Sequence, residues 1–163
     1  MNASHALRQS IETADMISKS YLDDLTDEEM MHRPHEKANH IKWQLGHLII
    51  SDNDMVNSCC PGTVAELPDG FREKYTKETS ASNNSADFNS KAELMEMFAK
   101  QREATFAKMG ELQDADLDTE SPEAIRSYAP NVGAAFGMLG IHWTMHSGQW
   151  AVIRRQLGRE PIF

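Results

Sequence analysis

The sequence predicts an all-α protein: four amphipathic helices in a bundle, with one long connection between the second and the third. Two observations lead there. Apolar residues recur at three- and four-residue steps through four long segments, each opened by Ser or Asn or closed by Gly or Pro. Strand-like alternation of apolar and polar residues nowhere extends beyond a few positions.

The first helix is expected from Ser4 to Leu25, where Leu7, Ile11, Ala14, Ile17 or Ser18, Tyr21 and Leu25 keep the helical rhythm. Thr26 to Glu29 reads as a short capped turn, broken by Arg33-Pro34. The second helix opens at Asn39, a natural N-cap, and runs to about Asn57. Ile41, Leu45, Leu48 and Met55 form one apolar edge of it, and Trp43, His47, Ile50 and Asp54 the adjacent one. Gly46 costs helix stability relative to alanine, and a close neighbour needing room explains it best.

From Ser58 to Asn89 the rhythm fails among Pro, Gly, Ser, Asn and Thr. Two adjacent antiparallel helices need only a few connecting residues, so a connection of about thirty is a functional cover or a mobile segment. A short helix from Asp69 to Tyr75 is expected within it, presenting Phe71 and Tyr75. The third helix starts at Ser90, with Glu93 completing a capping box, and carries Leu94, Met97, Phe98, Thr105, Met109 and Leu112 inward. An acidic connector broken by Pro122 and Pro130 follows. The fourth helix spans Asn131 to Gly158, with Ala135, Met138, Leu139, His142, His146, Gln149, Ile153 and Leu157 on one face.

That face holds two histidines one turn apart. Both imidazoles reach one point, and a divalent metal is the commonest reason for the arrangement, although a pair of hydrogen-bonded core histidines fits the spacing equally well. His47 tips the balance, because it stands in mid-helix among apolar residues, roughly 12 Å along its own helix. A bundle builds its sites from side chains facing one another across the core, so His47, His142 and His146 are expected to converge on one metal. Three neutral imidazoles with positions left to water form the pattern of a catalytic site rather than a structural one. Zinc or nickel suits this set first, with iron and manganese as alternatives, since nitrogen ligands select weakly among them.

Gln149 and Asp54 are the candidate supports around the ligands; the competing readings are a buried amide and a solvated helix-end acid. Phe71 and Tyr75 are the candidate pocket walls of the segment from Pro61 to Ser85, expected to cover the site. His5, His32, His35 and His40 are expected to leave metal occupancy unaffected. Cys59 lies roughly 18 Å beyond His47 along a continuous helix, so neither Cys59 nor Cys60 serves as ligand or nucleophile.

Composition sets the outer limits. The chain has 163 residues, 40% hydrophobic and 25% charged, which suits one globular domain spanning residues 1–163. A net charge of −9 repels phosphate backbones and anionic lipid, so neither nucleic acid nor membrane is the expected partner. No apolar segment resembles a signal peptide or spans a bilayer. The two cysteines are adjacent and bridge each other only with strain, which fits a reducing cytoplasm.

Motifs on the second and fourth helices carry a family resemblance. The run W-x-L-G-H-L from Trp43 to Leu48, together with H-x-x-x-H-x-G-Q from His142 to Gln149 and R-R-x-L-G-x-x-P from Arg154 to Pro161, resembles the DinB-like, or YfiT-like, metal-binding four-helix bundles. The likeness extends over nearly the whole chain, including the LPDGF and DADL segments. It implies an up-down-down-up bundle, His47, His142 and His146 as the metal triad, and a homodimer. It also implies thiol chemistry, as in bacillithiol S-transferases, mycothiol-dependent maleylpyruvate isomerase and the metal-binding part of ergothioneine-forming sulfoxide synthases.

The residues add one discrimination. Zinc metalloproteases place a glutamate base within H-E-x-x-H. Here Trp143, Thr144 and Met145 stand between the two histidines, which argues against a peptidase. A metal-dependent transferase joining a low-molecular-weight thiol to a small electrophile is the preferred reading. A hydrolase or isomerase of a small molecule using bound water, and a non-catalytic metal- or ligand-binding protein, are its alternatives.

Overall fold

Helices α1 (Ala3–Leu22), α2 (Ile41–Cys59), α3 (Lys91–Glu111) and α6 (Val132–Gln156) make the body of the molecule, in a computed structural model that describes residues 2–163. Two single turns, α4 (Asp114–Leu117) and α5 (Glu123–Arg126), interrupt the connector before α6. Among the described residues there is no strand, only an isolated bridge between Glu120 and Asn131. Among the described residues no helix is long and apolar enough to cross a membrane.

Local chemistry accounts for the helix ends. Ser90 and Glu93 form the expected reciprocal box at the start of α3, and Asn131 caps α6 by accepting the Ala134 N–H. The cap of α2 is His40 rather than Asn39: its Nδ1 accepts the Trp43 N–H at 3.1 Å. α1 stops at Leu22 rather than Leu25, because the Lys91 ammonium gathers the carbonyls of Leu22, Asp23 and Leu25. The expected helix from Asp69 to Tyr75 is a single 3-10 turn, Arg72–Tyr75.

Cross-helix pairs show how the helices run. Leu7 lies against Gly137, Ala14 against Gly140, and Ser18 against Ser147, so α1 and α6 point the same way. Gly140 permits that approach, since a Cβ there would meet Ala14 and the Ile11 backbone at 3.4 Å. Gln44 meets Trp150 while Asp52 meets Trp143, so α2 opposes α6. Ser4 meets Met109 while Asp15 meets Arg102, so α3 opposes α1.

The core has two apolar clusters. One gathers Leu22, Leu45, Leu48, Ile49, Phe98, Trp143 and Trp150; the other gathers Ile11, Met55, Met109, Phe136 and Leu139. A polar layer separates the two: in sequence Asp15, Asp52 and Arg102 fall between the two clusters' residues on α1, α2 and α3. Arg102 is 3.0 Å from Asp15 and 3.1 Å from Asp52, and the Trp143 indole donates to Asp52 at 2.8 Å. Burial pushes both carboxyls upward against the pull of the shared guanidinium, Asp52 to about 6.

The long connection is laid along α2 rather than left loose. Asn57 exchanges hydrogen bonds with the backbone of Val64, and Asn53 donates to the Ala65 carbonyl. Arg33 donates to the carbonyls of Ser80 and Ser82, each at 2.7 Å. Side chains thus satisfy backbone groups that no regular element would. Tyr75 lies flat on Gly46, where an added Cβ would stand 2.2 Å from the ring. The glycine does make room for a close neighbour.

Candidate metal centre

His47 projects from α2 and His142 and His146 from α6, and their rings meet. Centroids are 5.2 Å apart for His47 and His142, 5.7 Å for His47 and His146, and 5.0 Å for His142 and His146. One nitrogen of each can be chosen so that all three lie within 4.8 Å of one another. That spacing fits a single ion ligated at about 2.0–2.1 Å per imidazole after small ring rotations.

Protonation favours the same use. Burial lowers the affinity of all three rings for a proton, and for His142 and His146 repulsion from the neighbouring histidines adds to it, holding both at about 4. Near neutral pH the three rings are therefore uncharged and offer lone pairs.

The orientation of His146 follows from its neighbours. Its Nδ1 lies 2.8 Å from Gln44 Oε1, which also lies 2.8 Å from Trp150 Nε1. Indole N–H only donates, so the Gln44 atom is the acceptor oxygen, and the Gln44 amide nitrogen donates to the Asn39 carbonyl at 2.7 Å. His146 must then carry its hydrogen on Nδ1, which leaves Nε2 free for a metal. His47 is aligned differently, by a parallel stack on Trp43 with centroids 5.2 Å apart and planes 7° apart.

The other expected site residues fall elsewhere. Gln149 is exposed on α6, which corrects its reading as a buried amide; the amide that bonds His146 is Gln44. A rotation of α6 explains the change, since Trp143, His146, Trp150 and Ile153 face inward and Gln149 lies to one side. Asp54 is exposed and pairs with Arg72 through both carboxylate oxygens, the nearer at 2.6 Å, so it is a solvated acid with a surface partner. Phe71 and Tyr75 are 3% and 5% exposed and belong to the core, so they wall no open pocket. Cys59 and Cys60 are free thiols, and Cys60 lies in the opposite apolar cluster. One signal of Gln44 was available in the sequence, a lone amide within the apolar run IKWQLGHLII.

Residues 10–150 fit the family model described as the DinB superfamily. No curated protein and no solved structure matches the chain.

Proposed function

The chain belongs to the DinB superfamily, and from its histidine cluster we propose a divalent-metal protein that transfers a low-molecular-weight thiol to a small electrophile. The observation that carries this reading is the donor set: three neutral imidazoles within reach of one ion, with no carboxylate or thiolate among them. Zinc or nickel is the ion first proposed. The scaffold proposed is an up-down-down-up four-helix bundle, supported by the opposed senses of α2 and α6 and of α1 and α3.

A divalent ion held by His47, His142 and His146 would supply a Lewis acid that favours the thiolate over the thiol near neutral pH. The chain's own residues prepare that. Gln44 holds the His146 hydrogen on Nδ1, Trp43 fixes the plane of His47, and burial keeps all three rings free of protons. No glutamate stands between His142 and His146, where Thr144 and Met145 are exposed. Water activation is therefore short of a base on that turn, whereas a thiol ionises more readily and needs less help. This favours the transferase over the hydrolase.

A homodimer in a cytoplasmic setting completes the proposal, and the exposed Ile141 and Met145 support an apolar patch on α6. The test begins with elemental analysis of purified protein, for which stoichiometric metal is expected in the wild type and a sharp loss in His47→Ala, His142→Ala and His146→Ala. A screen of small thiols with a chromogenic electrophile, with and without metal, should then show metal-dependent conjugation. Metal-replete protein that turns over no thiol would leave a binding protein instead.

A further inference from the structure

We propose that Trp43 is a positioning residue that couples the long connection to the metal centre, so that metal binding orders the connection. The inference rests on the metal-binding reading above, and two contacts of one indole carry it. Its face stacks on His47, one turn away on the same side of α2, with planes 7° apart. Its edge donates from Nε1 to the Thr76 carbonyl at 3.0 Å.

Thr76 is not an arbitrary anchor. It follows the 3-10 turn Arg72–Tyr75, and its carbonyl also accepts the Thr79 hydroxyl at 3.0 Å and the Ser80 N–H at 3.2 Å. Three donors thus converge on one oxygen, and only the indole among them comes from a long helix. On the adjacent face of α2, Tyr75 rests on Gly46. The segment from Arg72 to Ala81 therefore reaches the ligand histidine through a ring that is 9% exposed.

The physical consequence is reciprocal. A stacked plate restricts rotation of the His47 ring about its terminal torsion, so the ligand is partly oriented before an ion arrives. The tether to Thr76 in turn holds the plate. An ion that fixes His47 must then fix Trp43 and its anchor, because coupling between two sites acts equally in both directions. Trp43 touches no reacting atom in this scheme.

Hydrogen exchange on the wild type, zinc-loaded against chelator-stripped, tests the coupling without a mutation. Slower exchange of the amides between Arg72 and Ala81 is expected with zinc, and unchanged exchange there overturns the proposal. Trp43→Phe keeps an aromatic plate but has no N–H to donate. It should lose the zinc-dependent protection while zinc affinity falls by roughly tenfold or less. Trp43→Leu removes the plate, and its zinc affinity should fall by roughly ten- to a hundredfold, with an altered cobalt absorption spectrum. Phe98→Leu, which alters the core beside Trp143 instead, should lose stability yet keep the protection. Retained protection in Trp43→Phe, or wild-type affinity and spectrum in Trp43→Leu, would show Trp43 to be structural only. Should the tryptophan variants not fold, the wild-type exchange experiment decides alone. A wild type that takes up neither zinc nor nickel overturns the metal reading and this one together, whereas metal uptake without added protection overturns only the coupling.

Discussion

The side-chain oxygen of Gln44 accepts two hydrogens, from His146 Nδ1 and from Trp150 Nε1, each at 2.8 Å. One amide thereby sets the tautomer of His146 and satisfies a buried indole. Gln44→Leu keeps much of the volume and removes both bonds. Metal affinity should drop by roughly ten- to a hundredfold, measured by competition with a chromophoric chelator. Stability should also fall by about 1–3 kcal/mol, because the Trp150 N–H is left without a partner. Gln149→Leu, at an exposed position, should change neither.

Gly46 and Tyr75 provide a test in which the sign of the effect is diagnostic. In an open helix, glycine to alanine stabilises by about 1 kcal/mol. At Gly46 the new methyl would stand 2.2 Å from a buried ring, so Gly46→Ala should destabilise by about 1–3 kcal/mol in urea unfolding. In a Tyr75→Ala background the same substitution should become neutral or stabilising. A stabilising Gly46→Ala in the wild-type background would contradict the packing described.

Arg102 stands between two carboxyls that are 6% and 2% exposed, Asp15 and Asp52. Arg102→Leu leaves both without their cation and should cost about 3–5 kcal/mol at neutral pH. The deficit should shrink as pH falls toward about 6, because Asp52 without the guanidinium takes up its proton at a higher pH than in the wild type, where Arg102 pulls its pKa down to about 6. Thermal unfolding of the two proteins from pH 4 to 8 measures that convergence.

His40 predicts a pH dependence of the opposite sign. It is buried, and its folded pKa is lowered from 6.5 to about 4, first by burial and then by the neighbouring Arg33 and Lys42 charges. Between those values the unfolded chain binds the proton and the folded chain does not, so unfolding takes one up. The contribution is therefore present above pH 6.5 and lost as pH falls toward 4. Protonation would also put a hydrogen on Nδ1, the atom that accepts the Trp43 N–H. His40→Asn, which caps without titrating, should flatten the slope of stability between pH 4 and 6.5 relative to wild type. Both proteins are compared with metal removed, so that His47, His142 and His146 contribute equally to each.

Much of this molecule is determined within a few residues of chain, and that part is legible in the sequence. Ser90 with Glu93 and Asn131 with Ala134 start their helices by bonds spanning three residues, which need no distant partner. The one-turn spacing of His142 and His146 follows from helix geometry alone, and the crowding at Gly46 is signalled by the cost of a mid-helix glycine. Tertiary structure decides the rest. Whether Gln44 or Gln149 meets His146 depends on a rotation of α6 that the apolar stripe defines only to within a residue or so, and Trp143 and Trp150 settle it by filling the core. Asp54 finds Arg72 eighteen residues away in sequence, and Phe71 and Tyr75 are drawn into the core because Gly46 leaves a place for a ring. The layer of Asp15, Asp52, Arg102 and Trp143 takes one residue from each long helix, so it exists only once all four are docked. Local geometry repeats along a chain and can be read from spacing, whereas the rotation and sliding of packed helices are set by the sum of contacts among residues far apart in sequence.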